Sequence, residues 1–115
     1  LMLRASTMFK RLLQSRADNS YERELIKLIG PDLLIIDDFG LQRLTGDQSG
    51  DFYEVVVERY GKASTVITSN RDLQEWMALF DDQIMANSAL DRLAHNAHQL
   101  IIEGESYRRK KAPKK

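Results

Sequence analysis

The chain has 115 residues and a mass of 13.3 kDa, with 43% hydrophobic and 30% charged residues, which suits one folded domain and excludes a disordered or fibrous polypeptide. Lys and Arg number 17, as do Asp and Glu, so the zero net charge names no partner, although Arg108, Arg109, Lys110, Lys111, Lys114 and Lys115 crowd the end. The lack of cysteine excludes a disulfide framework, a thiolate metal site and a cysteine nucleophile, and no apolar run nears the roughly 20 residues of a membrane-spanning helix.

Leu1 to Ala5 is short and apolar and is expected to be a strand; Ser6 then offers a hydroxyl cap to a helix with Met8, Phe9, Leu12 and Leu13 at helical spacing. Because Leu1-Met2-Leu3 opens directly in a strand without an initiating Met, the chain is expected to be part of a longer one. Asn19 and Glu22 stand at capping-box spacing before a second helix bearing Leu25, Ile26, Leu28 and Ile29, which Gly30-Pro31 stops. Leu33 to Ile36 is a continuous apolar run, the pattern of a parallel strand covered on both faces by helices. Phe52, Val55, Val56 and Tyr60 fall at i, i+3, i+4 and i+8, so residues 47–60 are expected to be helical despite their β-branched members, with Gly61 ending the helix.

Ser64 to Thr68 reads as a β-branched strand entering Ser69-Asn70, and Asp72 with Glu75 forms another capping-box pair before a helix containing Trp76, Met77, Leu79 and Phe80. Ile84, Met85, Leu90, Leu93 and Ala94 mark a further helix, His98 to Glu103 a last strand, and Gly104 a turn into the basic tail. Strands alternating with helices predict a parallel α/β sheet, with Trp76 and the methionines filling its core. No export signal is visible in these residues, and the cytoplasm is the expected compartment.

In parallel sheets ligands bind beyond the carboxyl ends of the strands. Asp37-Asp38 stands at such an end: a rigidly held carboxylate can take a hard cation such as Mg²⁺, whose other ligands nucleotide phosphates supply, and a second acid can orient or deprotonate a water. The same two acids also suit an ordinary strand-to-loop turn. Thr68, Ser69 and Asn70 end a second strand with hydroxyl and amide groups able to reach a γ-phosphate or a lytic water; Asn70 could equally cap the next helix. The basic tail could contact nucleic-acid phosphates or be a solvated chain end. His95 and His98 lack a third ligand and read as a polar rim.

Taken together, Leu33-Leu34-Ile35-Ile36-Asp37-Asp38-Phe39-Gly40, Ser64-Thr65-Val66-Ile67-Thr68-Ser69-Asn70-Arg71, Leu90-Asp91-Arg92-Leu93 and Glu103-Gly104-Glu105-Ser106-Tyr107-Arg108 resemble the IstB/DnaC branch of AAA+ ATPases, nearest the IstB-like transposase helpers. The resemblance runs from Leu3 to Arg108. It implies a P-loop NTPase-like parallel sheet flanked by helices, with residues 1–108 a partial AAA+ domain and 109–115 a basic tail. It implies ATP and Mg²⁺ as cofactors, with Asp37 the Mg²⁺ ligand of a Walker B strand and Asp38, where many AAA+ proteins carry Glu, the residue that activates water. Asn70 matches sensor 1, Arg92 an arginine finger acting across a subunit boundary, and Arg108 the sensor 2 arginine. Guanidinium groups suit that task because they neutralise charge spreading over the γ-phosphoryl oxygens.

The implied partners are DNA, reached through Arg109, Lys110, Lys111, Lys114 and Lys115, a transposase, and further copies in a ring or filament; a loader of a replicative helicase is the alternative within the same chemistry. The loop G-x-x-x-x-G-K-[ST] that would cradle the phosphates does not occur in these residues. The resemblance puts that loop and the sheet's central strand upstream, between the strands 64–68 and 98–103. The chain alone is therefore expected to be a poor ATPase, and a non-enzymatic DNA- or partner-binding remnant is the competing expectation.

Overall fold

A computed structural model describes residues 1–96, and the side chains of Leu73 and Asn96 are not described. The elements are β1 (Met2–Arg4), α1 (Ala5–Ala17), α2 (Tyr21–Ile29), β2 (Leu33–Asp37), α3 (Gly46–Arg59), β3 (Ser64–Ile67), α4 (Leu73–Trp76), a 3₁₀ turn over Met77–Leu79, and α5 (Gln83–Asn96). The strands form one sheet in the order β1-β2-β3, parallel throughout, with Met2 opposite Ile35 and Ile35 opposite Val66. This is the helix-flanked parallel α/β sheet expected of part of a P-loop NTPase-like domain. No described helix is long and apolar enough to cross a membrane. The expected strand His98–Glu103, together with Arg108, Arg109, Lys110, Lys111, Lys114 and Lys115, lies outside the described residues.

One face of the sheet carries the core. Leu34 and Ile36 are fully buried in a single cluster with Met8, Phe9 and Leu12 of α1, Phe52, Val55 and Val56 of α3, and Ala86 and Ala89 of α5. Because side chains alternate along a strand, Leu33 and Ile35 turn to the other face. That face is open among the described residues, with Met2, Leu33 and Val66 being 65%, 44% and 46% exposed. The unbroken apolar run thus signals a strand that wants cover on both sides, whereas the described helices supply one. Met2 is accordingly exposed rather than part of the core, while Met8 and Trp76 are buried as expected.

Capping follows a mixed course. Asp72 and Glu75 form the predicted box, with Glu75 N–H donating to Asp72 Oδ1 at 3.1 Å and Asp72 N–H to Glu75 Oε1 at 3.0 Å. An unforeseen box opens α3, where Gln48 N–H donates to Thr45 Oγ1 at 3.2 Å and Thr45 N–H to Gln48 Oε1 at 3.0 Å. Ser6 is not a cap, because α1 begins two residues earlier than expected, with Arg4 as its N-cap. Nor does Asn19 cap α2: it takes φ +63°, and Ser20, whose N–H and hydroxyl both donate to Asp18 Oδ1, precedes the helix instead. The helix expected after Asp72 is one short turn followed by the 3₁₀ turn, which brings Leu79 and Phe80 into the core.

Two buried polar groups tie the elements together, one joining helices to the sheet and one joining three helices. Arg59, 2% exposed, donates to the carbonyl oxygens of Leu28, Ile29, Pro31 and Ser64 and to Thr65 Oγ1, thereby closing the C-terminus of α2 and the starts of β2 and β3. Burial pushes its guanidinium pKa down. Asp51 on α3 accepts from Arg16 Nη2 and from the Tyr21 hydroxyl, each at 2.6 Å, and Arg16 also lies 4.3 Å over the Tyr21 ring. The bond to Asp51 raises the Arg16 pKa.

Candidate functional site

The site begins with an aromatic anchor. Phe39, immediately after the two acids, is fully buried, stacked on Phe52 at 4.4 Å between ring centroids and set against Trp76 at 4.6 Å. Burying that ring holds the backbone of the preceding aspartates against the sheet. Asp37 closes β2, and Asp38 leaves it at φ +56°, a left-handed conformation that Asp tolerates better than most residues. The β2 and β3 backbones stay paired past the last strand residues: Thr68 N–H donates to the Ile36 carbonyl and Phe39 N–H to the Thr68 carbonyl, both at 2.9 Å.

This pairing puts Thr68 beside both acids. Its hydroxyl donates to Asp37 Oδ1 and accepts from Asp38 N–H at 3.0 Å. The residue pattern alone offers that hydroxyl to a phosphate, but the fold commits it to the aspartates. The signal lies in the register: with Ile36 opposite Ile67, residue 37 must lie beside residue 68. Asn70 follows two residues later on the same carboxyl edge and is exposed. Arg71, which no sequence motif marks for a role, donates from Nε to the Gly40 carbonyl at 2.5 Å and bridges the loops after β2 and β3. Gly40 itself takes φ +87°.

Asp37, Asp38 and Asn70 are therefore brought to one edge, and Arg92 is not. Arg92, on α5, donates to the Ser88 carbonyl at 3.2 Å and to the Ser88 hydroxyl, and its guanidinium sits 5.7 Å from the Tyr60 ring centroid. Tyr60 follows α3 and precedes β3, so Arg92 lies toward the amino end of the strands. A four-residue strand spans about 10 Å at ~3.3 Å per residue. His95 flanks the same ring, at 6.5 Å between centroids, and Tyr60, Asp91, Arg92, Ala94 and His95 line an open groove. His98 lies outside the described residues.

Neither Asp37 nor Asp38 is ion-paired among the described residues, and Asp37 is half-buried while Asp38 is exposed. No described cluster of three or more His, Cys, Asp or Glu residues could hold a metal by itself. One or two free carboxylates of this kind fit Mg²⁺, which keeps waters and phosphate oxygens as its remaining ligands, better than a cation that needs a full protein cage.

A three-stranded parallel sheet flanked by helices, with Asp37 and Asp38 at the end of one strand and Asn70 beyond its neighbour, is the architecture of part of a P-loop NTPase-like domain. Residues 1–115 match the family described as IstB-like ATP binding protein, and the chain belongs to that family. It is 38% identical over 109 residues to a protein of Sinorhizobium fredii named as an insertion-sequence ATP-binding protein, an alignment covering 95% of this chain and 44% of the relative. It is 36% identical over 112 residues to one of Mycobacterium tuberculosis named as an ATP-binding protein in an insertion sequence, covering 96% and 44%. A third, named as the ATP-binding protein of the insertion sequence IS21 in Pseudomonas aeruginosa, is 36% identical over 103 residues, covering 90% and 39%. The chain thus spans less than half the length of these relatives.

Proposed function

We propose that this chain is the Mg²⁺-ATP-hydrolysing edge of an IstB-like helper of DNA transposition. Asp37 holds the metal, Asp38 orients or deprotonates the attacking water, and Asn70 hydrogen-bonds that water or the γ-phosphate. The observation that carries this reading is that Asp37, Asp38 and Asn70 all follow from the carboxyl edge of two paired parallel strands, where Thr68, two residues before Asn70, contacts both acids. Bound there, Mg²⁺ would neutralise charge on the phosphate oxygens and so favour phosphoryl transfer.

Arg92 is assigned to the nucleotide of a neighbouring copy. Its position beside Tyr60, away from the edge that holds Asp37, supports action in trans. The reading therefore includes a ring or filament. It gives Arg108 to the chain's own nucleotide, and Arg109, Lys110, Lys111, Lys114 and Lys115 to DNA phosphates. The loop that cradles the phosphates is assigned to further polypeptide, which would also cover the open apolar face bearing Met2, Leu33 and Val66. The names of the relatives favour transposition, with a transposase as partner, over loading of a replicative helicase. The cytoplasm is the compartment this activity needs.

The test is made in a longer polypeptide that also supplies the phosphate loop. There Asp38→Asn should keep ATP binding and abolish turnover, and unchanged turnover refutes the role of Asp38. Removing residues 109–115 should weaken DNA binding and flatten its salt dependence, while identical affinity refutes the assignment of the tail. A second reading, a non-enzymatic DNA- or partner-binding chain, is eliminated by Mg²⁺-dependent ATP turnover of that polypeptide.

A further inference from the structure

We infer that Thr68 is the positioning residue of the metal site, orienting the Asp37 carboxylate and holding the Asp38 backbone through one hydroxyl; the inference rests on the proposed Mg²⁺ role of Asp37. A threonine hydroxyl has a single proton and two lone pairs. Here the proton goes to Asp37 Oδ1 and a lone pair receives Asp38 N–H at 3.0 Å. One oxygen of Asp37 is thus engaged. The other has no hydrogen-bond partner among the described residues and is left for a cation.

The hydroxyl is itself well held. Thr68 sits between two backbone hydrogen bonds to β2 and its continuation, N–H to the Ile36 carbonyl and carbonyl to Phe39 N–H, each 2.9 Å. Phe39 is in turn locked into the aromatic core by Phe52 and Trp76. A β-branched side chain has a restricted χ1, so Thr68 points its hydroxyl with less rotational freedom than serine would. Asp38, at φ +56°, occupies a conformation that L residues leave readily, and the bond from its N–H to Thr68 helps retain it there. One side chain on the β3 edge therefore sets the direction of the first acid and the backbone of the second, 31 and 30 residues away in sequence. Outer hydrogen bonds of this kind commonly change metal affinity without touching the metal.

The experiment follows backbone amide signals of the 115-residue chain during titration with Mn²⁺ alone. In the wild type, signals around residues 37–39 and 68–70 should broaden before the rest. Thr68→Val, close in shape but lacking the hydroxyl, should require about tenfold more Mn²⁺ for the same broadening and should speed hydrogen exchange at the Asp38 amide. Thr68→Ser should return most of the Mn²⁺ response. Should Thr68→Val fail to fold, Thr68→Ala, which adds no methyl group, carries the same comparison. Equal Mn²⁺ dependence in the wild type and the hydroxyl-free variant, even with a lowered melting temperature, overturns the positioning role while leaving Asp37 as a ligand. Absence of selective broadening in the wild type overturns the metal reading of Asp37 and this inference with it.

Discussion

Arg59 and Thr65 are joined by a 2.8 Å hydrogen bond from Nε to Oγ1, which fastens the last residue of α3 to the second residue of β3. The same guanidinium also satisfies four carbonyl oxygens, so one buried cation substitutes for several separate caps.

Arg59→Met should therefore be severely destabilising although it fills much of the same space. It leaves the carbonyls of Leu28, Ile29, Pro31 and Ser64 without this donor, and the expected loss is about 3 kcal/mol or more. Arg59→Lys should recover only part of it, because an ammonium cannot reproduce the planar fork of donors. Urea unfolding of the three proteins measures both effects.

Stability should fall in strongly alkaline solution through Tyr21. Burial and the bond to Asp51 push its phenol from 10.0 up to about 12. The folded state thus holds the proton more tightly than the unfolded chain. Its contribution is complete below about pH 10 and is lost as pH rises toward about 12. Tyr21→Phe should cost about 1 kcal/mol near neutral pH, and its deficit relative to the wild type should shrink as that range is entered. Unfolding curves at successive pH values check the sign; a deficit that grows with pH contradicts it.

Two of the glycines, Gly40 and Gly50, should respond to alanine in opposite directions. Gly40 takes φ +87°, and a Cβ there would meet Leu79 Cδ1 at 3.1 Å beside the acidic edge, so Gly40→Ala should lose about 2 kcal/mol. Gly50 lies inside α3, where an added Cβ would find nothing within 4 Å, and Gly50→Ala should gain about 0.5 to 1 kcal/mol. Melting temperatures that move in the same direction for both would contradict the assignment.

Arg92 and Asp38 should complement one another between subunits. In a longer polypeptide with its phosphate loop, Arg92→Ala should bind ATP normally and hydrolyse it about 10³-fold more slowly. Mixing it with Asp38→Asn should restore part of the turnover, because some interfaces then pair an intact acid with an intact arginine. Activity of the mixture no higher than that of the separate variants excludes action in trans.

Much of this arrangement is legible in the residues themselves. The 3.6-residue period of Phe52, Val55 and Val56 overrides their weak helix propensity because burying an apolar face stabilises more than propensity opposes, and α3 forms as that pattern predicts. Asp72 and Glu75 cap a helix because their partners are three residues apart in the same chain. Ser6 and Asn19 show where such local signals lose: α1 starts as soon as β1 ends, and Asn19 takes a left-handed turn that leaves Ser20 to lead α2. The family resemblance and the candidate roles of Asp37, Asp38, Asn70 and Arg92 are likewise read from the chain alone.

Sequence by itself determined the alternation of strands and helices, the capping pair at Asp72, and which polar residues end the strands, since each depends on neighbours within a few positions. Only the tertiary structure decided that the Thr68 hydroxyl serves Asp37 and Asp38, that Arg59 closes three elements at once, that the face of Met2 and Val66 is open among the described residues, and that Arg92 sits toward the opposite end of the strands from the acids. Those outcomes depend on parallel register and helix packing between segments some thirty residues apart, where a shift of one residue along a strand turns every side chain to the other face.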